Sequence, residues 1–164
     1  MAKVIYKVGD DVSTDVIYPG RFMATVLPSE TPKYAFADDL EFNTMLQNDD
    51  ASEPRILVGA NNFGCGSSRE QAASCLKGHN LIIIANDIAR IFLQNAVNLG
   101  LQTISAPDFE CNVGDDIEIE DDRIINKTTG KSYNYTPLSP ARQAIVDAGG
   151  LIPYAREKLL EMQG

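Results

Sequence analysis

The chain has 164 residues, of which 44% are apolar, and this predicts a single domain over residues 1–164 with one hydrophobic core. Its formal net charge of −9 argues against a nucleic-acid backbone or an anionic membrane as partner, because both recruit clusters of Lys and Arg. The sequence has no apolar run of the roughly 20 residues that a membrane span needs, and no secretory signal, so we expect a cytoplasmic protein.

The cysteines and the histidine do not suggest a metal site. The three cysteines, Cys65, Cys75 and Cys111, are odd in number, and none lies in a C-x-x-C pair. We therefore predict neither a disulfide framework nor a cysteine-ligated cluster held by this chain alone. His79 is the one histidine, and its place in an expected turn between a helix and a strand predicts a surface residue rather than a ligand.

The first part of the chain begins as a strand and then loses its regular pattern. Residues 3–8 predict a short strand, and the polar loop after it closes with a turn at Pro19 and Gly20. Prolines interrupt the pattern between 21 and 50, although 34–46 carries helical periodicity. We interpret 21–50 as a long, mobile excursion from the core.

The middle of the chain has the pattern of a parallel sheet with covering helices. Residues 55–60 and 81–85 are continuous apolar runs of strand length, as expected for strands that are buried on both faces. A glycine-rich loop and a helix from about 68 to 76 separate them, and Gly78 is placed to end that helix.

A second helix and a third strand complete the predicted core. Asp87 is placed to cap a helix that Gly100 ends, and 101–105 predicts the next strand. The side chains of this helix that are expected on one side are Ile88, Ile91, Phe92 and Leu99. The predicted fold class is therefore α/β, with a β-α-β-α-β parallel core.

Towards the C-terminus the pattern changes to short antiparallel strands. Ile117 and Ile119 alternate with acidic residues, and a glycine-containing turn follows. Ser139 and Pro140 are residue types preferred at a helix start, and an amphipathic stretch over 154–162 finishes the chain. We thus expect added antiparallel strands and C-terminal helices around the parallel core.

The residues best suited to chemistry lie where the strand at 55–60 passes into the next helix. The sequence of residues 61–70 there is NNFGCGSSRE. Glycines let the backbone approach a ligand, and unpaired N–H groups at a helix start attract an anion. Arg69 adds a planar guanidinium that matches a carboxylate. The segment predicts an anion site.

Other interpretations of this loop fit less well or stay open. The loop lacks the Gly-Lys-Ser/Thr ending of a nucleotide P-loop and the third glycine of a dinucleotide fingerprint. Ser67 or Ser68 could instead simply cap the helix, with Glu70 or Gln71 completing a capping box. Cys65 occupies the position between two glycines, where a small core residue is expected rather than a ligand or a nucleophile.

Two motifs together resemble the swivelling domain of the aconitase superfamily. GCGSSRE at 64–70 is similar to the family's Gly-x-Gly-Ser-Ser-Arg-Glu string, and GDDVSTDVIYPG at 9–20 resembles its Asp-x-x-Thr-Asp-x-Ile-x-Pro-Gly loop. The order, the spacing and the predicted core agree over most of the chain. Its length resembles that of the separate small subunit of an isopropylmalate dehydratase, homoaconitase or dimethylmalate-type dehydratase rather than a full aconitase.

The resemblance implies a hydro-lyase subunit that acts on a hydroxy dicarboxylate, most simply 3-isopropylmalate in leucine biosynthesis. It also implies a large-subunit partner, in a heterodimer or heterotetramer, that carries a four-iron four-sulfur cluster, so no cofactor is expected on this chain. The implied catalytic residues are Ser67, which takes a proton as alkoxide, and Asp15, which orients Arg69 or the serine. Ser68, Arg69 and Thr14 would bind the substrate.

The resemblance also implies that Arg21, Phe22 and Met23 face the variable part of the substrate. Phe22 and Met23 suit a small alkyl group, whereas Arg21 could meet a third carboxylate. The segment departs from the Tyr-Leu-Arg of homoaconitases and from the more apolar form of isopropylmalate enzymes. Dimethylmalate and homoaconitate chemistry therefore stay alternatives, as does a carboxylate-binding module without catalysis.

Overall fold

A computed structural model describes residues 1–163, and a seven-stranded mixed sheet forms the centre of the molecule. The strands are β1 (Ala2–Lys7), β2 (Arg55–Val58), β3 (Leu81–Ala85), β4 (Thr103–Ser105), β5 (Asp116–Ile119), β6 (Arg123–Asn126) and β7 (Lys131–Asn134). Their order across the sheet is β4-β3-β2-β1-β5-β6-β7. The first four strands run parallel, while β5, β6 and β7 add an antiparallel extension beside β1.

Six α-helices accompany the sheet. They are α1 (Thr14–Ile17), α2 (Leu40–Asn48), α3 (Glu70–Lys77), α4 (Arg90–Leu99), α5 (Pro140–Asp147) and α6 (Leu151–Gln163), with 3-10 turns at Gly20–Phe22 and Thr31–Tyr34. The predicted α/β class, with a parallel core, added antiparallel strands and C-terminal helices, is confirmed. Within residues 1–163, none of the helices has the length and the apolar character needed to cross a membrane.

The parallel strands form because their side chains are apolar on both faces. Every residue of β2 is buried, and its neighbour β3 has four of its five residues buried. Core side chains alternate between the two faces: Leu57 and Ile83 lie in the cluster under the helices, and Ile56 and Ile84 in the cluster on the other face. The sheet therefore separates two apolar cores.

The helix after β3 forms as expected, but two details of its prediction were wrong. Asp87 does not cap α4, whose N-cap is Ala89 without a side-chain hydrogen bond. The Asp87 carboxylate instead accepts a hydrogen bond from the backbone N–H of Asn62. Ile91 is 53% exposed, whereas Phe92 on the next position is buried. The helix ends as predicted at Gly100, which adopts a left-handed conformation with φ of 77°.

The segment 21–50 is more closely packed than its sequence predicts. Phe36, Phe42 and Leu46 are each at most 2% exposed and belong to the core under the helices. Helix α2 begins only at Leu40, because the Asp39 carboxylate caps it by accepting a hydrogen bond from the N–H of Phe42 at 3.1 Å. The second half of the segment is therefore part of the core, and the mobility of the segment stays a prediction.

His79 is buried, so its prediction as a surface residue was wrong. Its side chain lies where α3 gives way to β3, is 7% exposed, and places Nε2 2.7 Å from the carbonyl oxygen of Pro32. Because a carbonyl only accepts, the ring nitrogen donates here. Burial lowers the pKa of the imidazole and favours its neutral form. Through this hydrogen bond, His79 links the first half of segment 21–50 to the end of α3.

The C-terminal helices follow the sequence signals closely. Ser139 caps α5 by accepting a hydrogen bond from the N–H of Arg142 at 3.3 Å, and Pro140 occupies the first turn. Helix α6 begins at Leu151, slightly before the predicted stretch, and contains no buried residue. Both helices contact α4.

Candidate active site

The candidate site is formed by the two loops that leave β1 and β2. These strands are parallel neighbours, so the loops emerge at the same edge of the sheet. Backbone hydrogen bonds join them side by side: the N–H of Gly64 donates to Val12 at 2.7 Å, and the N–H of Thr14 donates to Cys65 at 2.8 Å. The two sequence motifs are therefore brought into direct contact.

Two glycines shape the second loop. Gly64 has φ of +83° and packs against the ring of Phe92, where a Cβ atom would overlap the aromatic carbons. Gly66 has φ of +99°, a conformation that residues with a side chain rarely adopt, and it faces Thr14 across the junction. Glycine at both positions permits the turn that presents the next residues outward.

Ser67 and Ser68 both lie exposed at the tip of this turn. They do not cap α3: the N-cap residue is Arg69, which makes no side-chain cap hydrogen bond, and the helix begins at Glu70 rather than near residue 68. The interpretation of the serines as simple capping residues was therefore wrong. The N–H of Arg69 instead donates to the carbonyl of Ser67 at 2.8 Å, which tightens the turn.

Thr14 is buried beneath the turn and hydrogen-bonds to Ser67. It is only 2% exposed, and its hydroxyl donates to the carbonyl oxygen of Ser67 at 3.0 Å. The hydroxyl of Ser67 lies 3.4 Å from the same Thr14 oxygen. Thr14 therefore lies within the site, but beneath the loop, where contact with Ser67 fits its position better than the implied contact with substrate.

Arg69 is fixed by the first loop. Its Nη1 atom donates to Asp15 Oδ1 at 2.7 Å and to the carbonyl oxygen of Tyr18 at 2.9 Å. Asp15 Oδ1 also accepts from the N–H of Gly20 at 3.0 Å. The hydrogen bond from Arg69, followed by that from Gly20, lowers the pKa of the Asp15 carboxyl. Asp15 is thus held as an anion that orients the guanidinium.

The first prediction concerns the titration of Asp15. Replacing Arg69 by glutamine should raise the pKa of Asp15, because the main stabilising donor to its carboxylate is removed. Since the folded pKa lies below the unfolded one, the ion pair stabilises the fold above the ordinary Asp pKa and is lost as pH falls through the folded value. Carboxyl chemical shifts followed by NMR across the acid range would measure the pKa, and denaturant unfolding at several pH values would measure the stability.

Asp50 provides the internal control for this titration. Its pKa is lowered chiefly by hydrogen bonds from the backbone and side chain of Ser52, so it should not respond to the change at Arg69. An Asp15 carboxyl that titrates identically with and without the arginine would show that the pair does not form in solution.

The three residues implied to face the variable part of the substrate lie just beyond Asp15. Arg21 forms a two-point ion pair with Asp38, with contacts of 3.1 and 2.5 Å. Phe22 stacks on Tyr34 at 4.0 Å between ring centroids, and the guanidinium of Arg21 lies 4.5 Å from the Phe22 ring. Met23 is 39% exposed. An anion at this position would have to compete with Asp38 for Arg21.

Sequence reasoning missed three participants in this arrangement. Tyr18 supplies a carbonyl to Arg69, and its buried hydroxyl bonds to the carbonyl oxygens of Phe22 and Thr25. Tyr34 supports Phe22, and Asp38 neutralises Arg21. Tyr18 lies inside the recognised motif, which was a usable signal, whereas Tyr34 and Asp38 carry no local signal because their partners lie 12 or more residues away.

The metal-ligating side chains of residues 1–163 are dispersed. Among residues 1–163, no group of three or more His, Cys, Asp or Glu side chains is close enough to hold a metal ion. Cys65 lies half-buried in the site loop, while Cys75 and Cys111 are buried in the two separate cores. Burial raises the pKa of the Cys75 and Cys111 thiols, which disfavours the thiolate that a metal requires. A cysteine-ligated cluster does not fit these residues.

The exposed serine pair and the anchored arginine lie within a region that matches a known protein family. The aconitase C-terminal domain model matches residues 11–108, which include both site loops and more than half of the chain. The chain therefore belongs to the aconitase C-terminal domain family. The predicted resemblance to the swivelling domain is confirmed.

Relatives that match over nearly the full length define the subgroup. The chain is 38% identical to the 3-isopropylmalate dehydratase small subunit of Thermodesulfovibrio yellowstonii, covering 94% of this chain and 93% of the relative. It is 41% identical to the protein of the same name from Methanosarcina mazei, with coverage of 95% and 96%. The crystal structure of a 3-isopropylmalate dehydratase from Methanocaldococcus jannaschii superposes with a TM-score of 0.87 at 34% identity, covering 98% of this chain and 96% of that one.

Proposed function

We propose that this chain is the small subunit of a hydro-lyase that dehydrates and rehydrates 3-isopropylmalate, a hydroxy dicarboxylate. The names of the full-length relatives support this function. The observation that carries it is the exposed Ser67 at a tight turn, next to Arg69, whose guanidinium is fixed by Asp15. This combination provides a proton acceptor and a carboxylate ligand on one open surface.

Ser67 would remove the proton from the substrate carbon next to a carboxylate. As the alkoxide accepts that proton, the electron pair of the C–H bond forms the double bond, and the hydroxyl group leaves from the neighbouring carbon. A serine hydroxyl is an extremely weak base, so the site must stabilise the oxyanion. The cation of Arg69 serves that purpose, and the Thr14 hydroxyl joins it when its proton turns from the Ser67 carbonyl to the Ser67 side-chain oxygen, 3.4 Å away.

Arg69 and Ser68 would hold a substrate carboxylate. Nη1 of Arg69 is used by Asp15 and Tyr18, and within residues 1–163 its Nη2 atom has no hydrogen-bond acceptor. Nη2 is therefore available to a ligand while Nη1 stays anchored. A guanidinium held in this way orients a carboxylate without a new loss of side-chain freedom.

The large subunit would complete the site. We assign to it the four-iron four-sulfur cluster, whose iron supplies a Lewis acid for the departing hydroxyl group. The small-subunit names of the relatives support such a partner, and the exposed position of Ser67 leaves space for it. The resulting complex, a heterodimer or heterotetramer, would work in the cytoplasm, in keeping with three unpaired cysteines.

The preference for an alkyl substrate follows from the state of Arg21. Because Asp38 pairs with both of its terminal nitrogens, Arg21 is a poor receptor for a third carboxylate. The stacked rings of Phe22 and Tyr34 form an apolar surface suited to an isopropyl group.

The experiment that tests this function is a substrate panel on the pair reconstituted from this chain and its large subunit. We expect kcat/KM to be highest for 3-isopropylmalate and at least about tenfold lower for homoaconitate, whose extra carboxylate would meet the Arg21–Asp38 pair. Dimethylmalate tests whether the smaller alkyl group is accepted. A preference for the tricarboxylate would contradict the substrate assignment, and inactivity of the pair on every member would contradict the function.

A further inference from the structure

Four large apolar side chains are exposed on the segment that follows the first site loop. Val16, Met23, Val26 and Leu27 are 49, 39, 62 and 55% exposed. Single exposed apolar residues are common on protein surfaces, but four of them within residues 16–27, next to a functional site, indicate a contact surface. We refer to these four residues as the apolar rim.

The apolar rim adjoins the candidate active site. Val16 follows Asp15 in α1. Gln71, two residues after Arg69, donates a hydrogen bond from its side chain to the carbonyl oxygen of Met23 at 3.3 Å. Val26 lines a small cavity together with Glu70 and Gln71, the first residues of α3. A protein that covers Ser67 and Arg69 would therefore also cover the rim.

The side chains of the apolar rim cannot turn into the core, because hydrogen bonds and ring stacking hold the backbone between them in place. The hydroxyl of Tyr18 bonds to the carbonyl oxygens of Phe22 and Thr25, at 2.9 and 3.1 Å, and is held in the core. Phe22 is stacked on Tyr34. The apolar side chains between and beyond these anchors face outward, so only another molecule can remove them from water.

The charges around the rim indicate what that molecule presents. The two arginines on this side are already paired, Arg21 with Asp38 and Arg69 with Asp15, and Lys33 is an exposed cation that forms no ion pair within residues 1–163. The carboxylates that are exposed on the same segments and that form no ion pair within residues 1–163 are Asp10, Asp11, Glu30 and Glu70. With a chain charge of −9, this edge favours a cationic partner surface.

We propose that the apolar rim, edged by these carboxylates, is the surface by which this chain binds its large subunit. The matching surface of the large subunit is apolar at its centre and carries Lys or Arg side chains at its edge. This inference rests on the proposed function, which supplies the partner, and extends it from the reacting residues to the contact that holds the two subunits together.

The test uses Val26→Glu in the purified chain and measures its Kd for the large subunit by calorimetry. A carboxylate at this position would be buried without a partner against an apolar surface, so binding should weaken at least about tenfold. At saturating large subunit, kcat should stay close to that of the wild type, since Val26 touches no reacting group. Wild-type binding should weaken as salt is raised, because attraction between opposite charges is screened.

Val113→Glu is the matched control. Val113 is the same residue type, is 58% exposed, and lies in the turn before β5, outside the two site loops and the apolar rim. This variant should bind the large subunit as tightly as the wild type.

The inference would be overturned by unchanged binding of Val26→Glu, by equal weakening in Val113→Glu, or by wild-type binding that strengthens with salt. A change in the mass of the lone chain caused by Val26→Glu, with unchanged affinity for the large subunit, would assign the rim to self-association and also overturn it. A pair that binds through the rim but converts no hydroxy acid would refute the proposed function and leave this inference standing.

Discussion

Ser67→Ala in the reconstituted pair is expected to lower kcat by roughly 10⁴-fold, because the group that accepts the proton is removed. Ser67 is exposed and its hydroxyl has one close partner, Thr14. Its removal should therefore leave the fold and the binding of the large subunit intact. Steady-state turnover of 3-isopropylmalate, together with the Kd of the pair, separates the loss of chemistry from a loss of assembly.

The control for this change is Ser132→Ala. Ser132 is also exposed, but it lies on β7 at the far edge of the sheet, so full activity is expected. Turnover by Ser67→Ala within a few-fold of the wild type would remove Ser67 from its assigned role, even if the pair as a whole were an active dehydratase.

Arg69→Lys is expected to reduce kcat/KM about 100-fold, mainly through a higher KM, because a charged hydrogen bond to the substrate carboxylate is lost. Lysine keeps the charge but cannot bond at once to Asp15, to the carbonyl of Tyr18 and to a ligand in the fixed geometry of a guanidinium. Michaelis–Menten kinetics on the reconstituted pair would measure the division between KM and kcat.

Arg123→Lys is the matched change for Arg69→Lys. Arg123 pairs with Glu120 in an exposed contact on the antiparallel part of the sheet, so its replacement should alter neither KM nor kcat. If Arg69→Lys retained the wild-type kcat/KM, simple charge would be sufficient at this position, and the argument from guanidinium geometry would fail.

Much of the fold could be predicted because its signals are local. The apolar runs of β2 and β3 leave water only when both faces of the strands are buried. Gly100 ends a helix because it adopts a left-handed conformation easily, and Ser139 begins one because its side chain accepts a backbone hydrogen bond. The composition of the site loop was equally informative, because its two glycines are needed at positive φ.

The contacts that join distant segments could not be predicted in this way. Nothing near His79 in sequence indicates that the carbonyl of Pro32 will accept its hydrogen bond. Asp87 is a residue type that often caps a helix, but its carboxylate accepts a hydrogen bond from the N–H of Asn62 instead. The adjacency of β1 and β2 decides that Asp15 meets Arg69, yet it is a property of the sheet order and not of either strand. At His79 and Asp87, tertiary packing overruled the local preference.

The most direct test of the account is to titrate a fixed amount of the large subunit with this chain and follow dehydration of 3-isopropylmalate. Each protein alone should be inactive, and the rate should rise with added chain until the two are equimolar. Full activity of the large subunit without this chain would show that the proton acceptor is not supplied from the Ser67 loop.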